Sequence, residues 1–202
     1  MNTENVELMR MARESLKGKW GLAIGTFVVY ILMIGTIQVP TIYFPTAVLL
    51  SFIIAGPMAV GIAVFSLTIS RDQDAGIEQL FAGFYNFVTA LVAYLLILIF
   101  TFLWTLLLII PGIIAAISYS MTFFILADDD SIGAMEAIDK SKIMMNGYKW
   151  KYFCLTLRFL GLAILCIFTL GIGFLWLFPY MYVCMAKFYD DIKESNLKSV
   201  NA

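Results

Sequence analysis

The stretch from Leu106 to Asp130, LLLIIPGIIAAISYSMTFFILADDD, contains the two features that decide the fold. Its first 22 residues carry no charge, and it ends in three consecutive carboxylates. A helix that crosses a membrane needs about 20 apolar residues. Pro111 and Gly112 interrupt the helical hydrogen-bond ladder near the start of the stretch. The sequence therefore predicts a hairpin turn at 111–112 and a return span that ends at the carboxylates.

The composition of the whole chain is typical of a membrane protein. Of the 202 residues, 62% are hydrophobic and 13% are charged, whereas soluble domains are about half apolar and a quarter charged. Three runs contain no charge at all: 51 residues from Trp20 to Ser70, 49 from Gln79 to Ala127, and 28 from Phe159 to Ala186. Each of the first two runs is long enough for two membrane spans.

Turn-forming residues divide the apolar regions into three hairpins. The predicted breaks are 38–41, 111–112 and 169–173, each containing proline or glycine. We therefore predict one all-α, polytopic membrane domain over residues 1–202, with six transmembrane helices and additional helices on the cytoplasmic side. The predicted spans are about 20–37, 45–70, 87–109, 112–127, 152–168 and 172–189.

The placement of charge predicts the orientation. None of the 13 Lys and Arg residues and none of the 14 Asp and Glu residues falls in the three hairpin turns. Lys and Arg mark the cytoplasmic side of a membrane protein. Both termini and the two longer loops are therefore predicted to be cytoplasmic, in a multi-pass protein of the bacterial cell membrane.

Two helices are predicted outside the spans. Residues 4–18 form an amphipathic pattern, with Leu8, Met11, Ala12 and Leu16 on one side and basic residues on the other. This pattern is typical of an interfacial helix on an anionic leaflet. Residues 131–146 are predicted to form a cytoplasmic helix capped by Asp130 or Ser131.

A recurring order of elements suggests a threefold repeat. A connecting helix, a glycine and an aromatic residue precede each odd span, in ESLKGKWG, EQLFAGFYNF and KIMMNGYKWKYF. Glycines at 21, 25, 56 and 61 would also permit close helix contacts. The repeat is a hypothesis, because glycine and aromatic residues also recur by chance in such a composition.

Arg158 is the one charge that lies inside a predicted span. It follows Lys151 by seven residues, which places it about 10 Å into the span. One interpretation is that its long side chain reaches the membrane surface. The other is that it binds an anionic headgroup. Candidate headgroup contacts are Arg158, Lys149, Lys151, Arg13 and Lys17.

The sequence lacks the residues of a recognisable catalytic site. It has no histidine, the most frequent general base and metal ligand, and no catalytic motif. The Asp128–Asp130 run favours span termination and helix capping over cation binding or catalysis, because consecutive residues do not point to one ion. We predict no enzymatic activity, no cofactor, no metal and no nucleic-acid partner.

Four segments carry a resemblance to a known family: ARESLKGKWGLAIG, LIIPGIIAAISYSMTFFILADD, AMEAIDKSKIMMNGYKWKYFCL and TLGIGFLWLFPYMYVCMAKFYDD. In this order they resemble the bacterial integral membrane family of unknown function 975. More loosely, the layout is similar to the membrane domain that precedes some bacterial glycerophosphodiester phosphodiesterases. The resemblance implies a six-helix membrane fold and supplies no catalytic residues.

Two functions fit these observations best. The first is a non-enzymatic protein that organises membrane lipids or partner proteins at the inner leaflet, alone or as a homo-oligomer. The alternative is a small transporter or permease component for an apolar or lipid-like substrate, with a cleft lined by Ser118, Tyr119, Ser120 and Arg158. A membrane enzyme acting on lipids is the least favoured.

Overall fold

Helices make up the structure throughout the part of the chain that it describes. The computed structural model describes residues 3–43 and 47–200, without the side chains of residues 36–43, 47–50 and 199–200. No strand occurs in these ranges. The helices are α1 (Asn5–Ser15), α2 (Trp20–Tyr43), α3 (Ala47–Ser70), a 3₁₀ helix (Ile77–Phe84), α4 (Phe87–Leu107), α5 (Ile109–Tyr119), α6 (Thr122–Asp128), α7 (Ala134–Met144), α8 (Lys149–Phe168) and α9 (Phe174–Val200).

Four helical segments are long and apolar enough to cross a membrane. They are Ser51–Ser70, Phe87–Leu107, Ile109–Asp128 and Lys149–Phe168. A fifth is added if α1 and the part of α2 up to Gly35, which meet at 97°, count as one broken span. Helix α9 is not among the four. It carries Lys187, Asp190 and Asp191 in its middle.

The turn between α4 and α5 lies at Leu108, so the prediction of a turn at Pro111–Gly112 was wrong. Leu108 has an extended backbone, with φ −161° and ψ 144°, and α5 begins at Ile109. Pro111 is therefore the third residue of a helix. Proline is tolerated there, because the first N–H groups of a helix have no intrahelical acceptor. Gly112 lets α5 lie against Thr105 of α4, where an added Cβ would be 2.2 Å from the Thr105 hydroxyl.

The predicted span 112–127 is divided at Ser120 and Met121 into α5 and α6. Hydroxyl side chains surround the break. The Ser120 hydroxyl donates to the carbonyl of Ile117 at 2.8 Å, a local bond of the type that competes with the helical ladder. The Ser118 carbonyl accepts a hydrogen bond from the Ser141 hydroxyl of α7, also at 2.8 Å. A side chain of the next helix thus contacts the backbone beside the break.

Three other predicted boundaries need correction. Helix α2 continues through residues 38–41 to Tyr43, and membrane helices tolerate such a proline when the freed backbone groups are satisfied locally. The predicted start of the second span, residue 45, lies outside the described residues. Helix α9 runs to Val200, well beyond the predicted end at 189. The N-cap of α7 is Gly133, with no side-chain cap, so neither Asp130 nor Ser131 caps it.

The even-numbered predicted spans lie inside the structure and the odd-numbered ones outside. Of the residues in the most apolar window, 61% are buried in Ser51–Ser70 and 50% in Ile109–Asp128. The corresponding fraction is 11% for both Phe87–Leu107 and Lys149–Phe168. Helices α3, α6 and α9 therefore form the core, and α4 and α8 cover it from the outside.

Helix α1 packs into the protein by its apolar side, rather than presenting that side to a membrane surface as predicted. Leu8, Ala12 and Leu16 are all fully buried in the main core. The Tyr180 hydroxyl of α9 donates to the carbonyl of Met9 at 3.0 Å. The apolar periodicity was correct as a helix signal, but the partner of the apolar side is α9.

Two of the three proposed repeats share one turn geometry. Gly18 and Gly147, 129 residues apart, both have φ +83°, a conformation that favours glycine. The flanking hydrogen bonds correspond as well: Lys19 N donates to Leu16 O, and Tyr148 N donates to Met145 O. Gly83 of the third repeat differs, because it lies in the 3₁₀ helix and packs on the carbonyl of Pro57. Helices α1–α2 and α7–α8 are thus repeated units.

Candidate functional site

The ends of the three core helices meet in a group of charged residues that we call the end cluster: Arg71, Asp128, Asp190 and Lys193. Arg71 contacts two carboxylates, with 2.6 Å to Asp128 Oδ1 and 2.8 Å to Asp190 Oδ1. Lys193 forms an ion pair with the other oxygen of Asp128. The Tyr189 hydroxyl donates to that same oxygen at 3.0 Å. One carboxylate of α6 therefore joins α9 to the residue that follows α3.

Burial makes these contacts stronger than surface ion pairs. The Asp128 side chain is 10% exposed and the Arg71 side chain 34%. Burial acts to lower the pKa of Arg71, but its hydrogen bonds to Asp128 and Asp190 outweigh burial and raise it. Arg71 is therefore held as a cation. Exposed ion pairs contribute about 0–1 kcal/mol, whereas hydrogen bonds to charged groups contribute about 1.5–3 kcal/mol.

A second buried ion pair joins the N-terminal segment to α8 and α9. Lys151 Nζ lies 2.7 Å from Asp191 Oδ2, and the Thr3 hydroxyl donates to Asp191 Oδ1 at 2.5 Å. The Asn5 side chain donates to the carbonyl of Lys151 at 2.9 Å. Between this pair and the end cluster lies a cavity of about 500 Å³ lined by residues of both.

Each aspartate of the opening stretch has a different environment. Asp128 belongs to the end cluster. Asp129 accepts hydrogen bonds from the backbone and hydroxyl of Ser131, at 3.2 and 2.6 Å, and these bonds lower its pKa. Asp130 is exposed, and its carbonyl accepts from the Asn86 side chain at 2.8 Å. In the ranges that the structure describes, no group of three or more His, Cys, Asp or Glu residues is placed to hold a metal ion.

A cleft with two lysines opens beside α5, and we call it the lysine cleft. It has a volume of about 330 Å³ and is lined by Trp104, Pro111, Ile114, Ala115, Ser118, Tyr119, Lys142 and Lys149. Lys142 lies over two rings, 5.7 Å from the centroid of Tyr119 and 6.0 Å from that of Phe100. The cleft thus combines an apolar wall with two cations.

The five predicted headgroup residues do not form a single site. Lys149 lines the lysine cleft. Lys151 is taken up by Asp191. Arg13 lies on another side of the molecule, with its guanidinium 5.8 Å from the centroid of the Tyr180 ring. Lys17 is exposed in the turn after α1.

Arg158 is exposed on α8, between the exposed apolar residues Leu157 and Leu160. It is not among the residues that line the lysine cleft, although Ser118 and Tyr119 are. It forms no hydrogen bond or ion pair with any residue in 3–43 or 47–200 whose side chain is described. Its position on an apolar surface fits a side chain that reaches toward the membrane boundary.

Three residues of these sites were missed by sequence reasoning: Arg71, Lys142 and Lys193. Arg71 and Lys193 each stand 14 residues after a proline, Pro57 and Pro179, that lies inside a core helix. Lys142 occupies the same place in its repeat as Arg13, 129 residues earlier. The spacing was readable, but only the fold brings these positions together.

The all-helical fold, with several helices that can cross a membrane, indicates a membrane protein of many helices. The chain belongs to the family described as "Protein of unknown function (DUF975)", which matches residues 1–118 and 105–196. No curated protein and no solved structure matches the chain.

Proposed function

We propose that this chain is a non-enzymatic protein of the bacterial cytoplasmic membrane that organises anionic lipids or partner proteins at the inner leaflet. In this proposal it has six spans in three hairpins, with both termini and the two longer loops in the cytoplasm. The placement of every Lys and Arg outside the predicted hairpin turns supports this orientation.

The observation that carries the proposal is the contrast between the core and the outer helices. Helices α4 and α8 expose large apolar side chains along their lengths, including Phe102, Leu106, Leu157 and Phe168. Apolar surface of this extent marks contact with a membrane or a protein partner. Basic residues lie beside that surface, at Lys142, Lys149 and Arg158. An apolar surface bordered by cations suits anionic lipids.

The end cluster supports a structural role for the buried charges. Its carboxylates are occupied by Arg71, Lys193 and Tyr189, and Asp191 is occupied by Lys151. Groups held in this way join helices and are not free to act as bases. The proposal therefore assigns function to the surface.

The test is extraction of the protein in polymer nanodiscs taken directly from the bacterial membrane, followed by mass spectrometry of the lipids and proteins that co-purify. We expect enrichment of anionic phospholipids over the bulk membrane, or the same partner protein in independent preparations. Nanodiscs of an unrelated six-span protein, prepared in parallel, are the control. Bulk lipid composition together with no reproducible partner would overturn the proposal.

A second candidate, a small transporter or permease component, is favoured by the lysine cleft. Ser118 and Tyr119, which the sequence placed in a transport cleft, do line this cavity. The test is a flux assay in proteoliposomes containing a fluorescent phospholipid. If only the outer-leaflet label is accessible to a membrane-impermeant quencher, as in empty liposomes, transport of phospholipid is excluded. Access to the inner-leaflet label would favour transport.

A further inference from the structure

We propose that the lysine cleft is a binding site for one anionic phospholipid, whose phosphate contacts Lys142 and Lys149 and whose acyl chain lies along α4 and α5. This inference deepens the proposed function and depends on it, because it names the lipid class and the place where it binds. The apolar wall is formed by Trp104, Pro111 and Ile114.

The shape of the cleft matches an elongated amphiphile. Tyr119, over which Lys142 lies, is eight residues from Pro111 along the same helix. At 1.5 Å per residue the wall therefore extends about 12 Å from the lysine end toward the turn at Leu108. The residues at that turn, Leu107 and Ile109, are each 71% exposed. A chain lying along the wall thus continues onto the open apolar surface of the molecule.

The charge of the cleft selects an anion. No Asp or Glu is among the residues that line it. Lys142 pairs with Asp139 at 2.9 Å, an exposed pair within one helix. Lys149, which is half-buried, forms no ion pair or hydrogen bond with the residues that the structure describes. A lipid phosphate would supply the missing acceptor, since charge-assisted hydrogen bonds to phosphate are the strong ones.

The internal repeat supports a built site. Lys142 lies over Tyr119 at 5.7 Å, and its repeat counterpart Arg13 lies over Tyr180 at 5.8 Å. Arg13 also borders a groove, of about 340 Å³, lined by apolar residues of α8 and α9. The two grooves differ at one decisive position: the counterpart of Lys149 is Trp20. The lysine cleft has two cations where its counterpart has one.

The test uses Trp104 as a reporter in the cleft wall. Trp20, Trp150 and Trp176 are replaced by Phe, so that Trp104 is the only tryptophan left. The protein is placed in phosphatidylcholine bilayers that contain a small fraction of acyl-brominated phosphatidylglycerol or, in a parallel sample, acyl-brominated phosphatidylcholine. The ratio of the two quenching efficiencies gives the lipid preference at Trp104.

We expect phosphatidylglycerol to be preferred by roughly fivefold for each lysine near the headgroup. Lys142→Gln or Lys149→Gln should each lower the preference roughly fivefold, and the double variant should show none. Lys140→Gln, an exposed lysine on the same helix α7, is the matched control and should retain the full preference. Lys142→Arg with Lys149→Arg should retain it as well, which separates loss of charge from misfolding.

Equal quenching by the two lipids in the parent protein would overturn the inference. An undiminished preference in the double Gln variant would overturn it too. If the nanodiscs taken from the bacterial membrane are still enriched in anionic lipid when Trp104 shows no preference, then the proposed function stands and the lysine cleft is not its site.

Discussion

At the scale of single residues, Asp128 is the centre of the structure's charged end. Its two oxygens contact cations from two different parts of the chain, Arg71 and Lys193, and the hydroxyl of Tyr189. Few other side chains in the described ranges join so many elements. Removing one partner from such a group is expensive, because the remaining charges stay partly buried without compensation.

Asp128→Asn should lower the free energy of unfolding by about 1.5–3 kcal/mol, the usual contribution of hydrogen bonds to charged groups. The measurement is thermal unfolding in detergent, followed by intrinsic fluorescence. Asp130→Asn is the matched control two residues away, because the Asp130 side chain is exposed, and it should leave the melting temperature unchanged. Equal effects of the two substitutions would contradict the role assigned to Asp128.

The sequence predicted where the carboxylates stand but not what they do. Three consecutive aspartates at the end of an apolar run indicate the end of a span. Their different partners lie 57 and 65 residues away for Asp128 and two residues away for Asp129. Only the local Asp129–Ser131 contact has a sequence signal of its own. The long-range pairs depend on how the helices meet.

At the scale of helices, close packing depends on glycines of α3 and of the 3₁₀ helix. An added Cβ at Gly61 would be 1.9 Å from the backbone oxygen of Leu80, and one at Gly83 would be 2.0 Å from that of Pro57. In contrast, Gly21 and Gly25 of α2 have no such neighbour within 4 Å. The sequence made both pairs candidates for close contacts, and the structure distinguishes them.

Gly61→Ala should therefore destabilise the protein by about 1–3 kcal/mol, the usual cost of overpacking. The backbone of Leu80 must move away from α3 to admit the methyl group. Gly25→Ala is the control, with the same chemical change in an apolar helix. It should be neutral or raise the stability by up to about 1 kcal/mol, because alanine favours helix more than glycine does. The same thermal unfolding measurement compares the two, and a Gly61→Ala protein as stable as Gly25→Ala would contradict the packing described.

The helical elements were more predictable than their ends. Uncharged runs of the required length located every span, because that signal is compositional. The turn was placed at Pro111 instead of Leu108, because a proline in the first turn of a helix looks in sequence like a helix breaker. The break at Ser120 was missed, since the contact that Ser141 makes there comes from a helix 23 residues away.

At the scale of the whole molecule, the inner and outer helices could not be told apart from sequence. In a soluble protein the buried side of a helix is marked by apolar residues. In a membrane the lipid-facing side is equally apolar, so that contrast is lost. Helices α4 and α3 are both uncharged, yet 11% of one apolar window and 61% of the other are buried. Charge placement and the prolines were the signals that remained.

The central claim is that the chain crosses the membrane six times with its charged end in the cytoplasm, and cysteine accessibility tests it most directly. Cys154, Cys166 and Cys184 are first replaced by Ala, and single cysteines are then introduced as Ile110→Cys, Ile172→Cys and Asp74→Cys. Each is labelled with a membrane-impermeant maleimide in intact cells and again after permeabilisation.

We predict that Ile110→Cys and Ile172→Cys are labelled in intact cells, after removal of the outer wall barrier where needed, and that Asp74→Cys is labelled only after permeabilisation. Labelling of Asp74→Cys in intact cells, or of Ile110→Cys or Ile172→Cys only after permeabilisation, would contradict the claim.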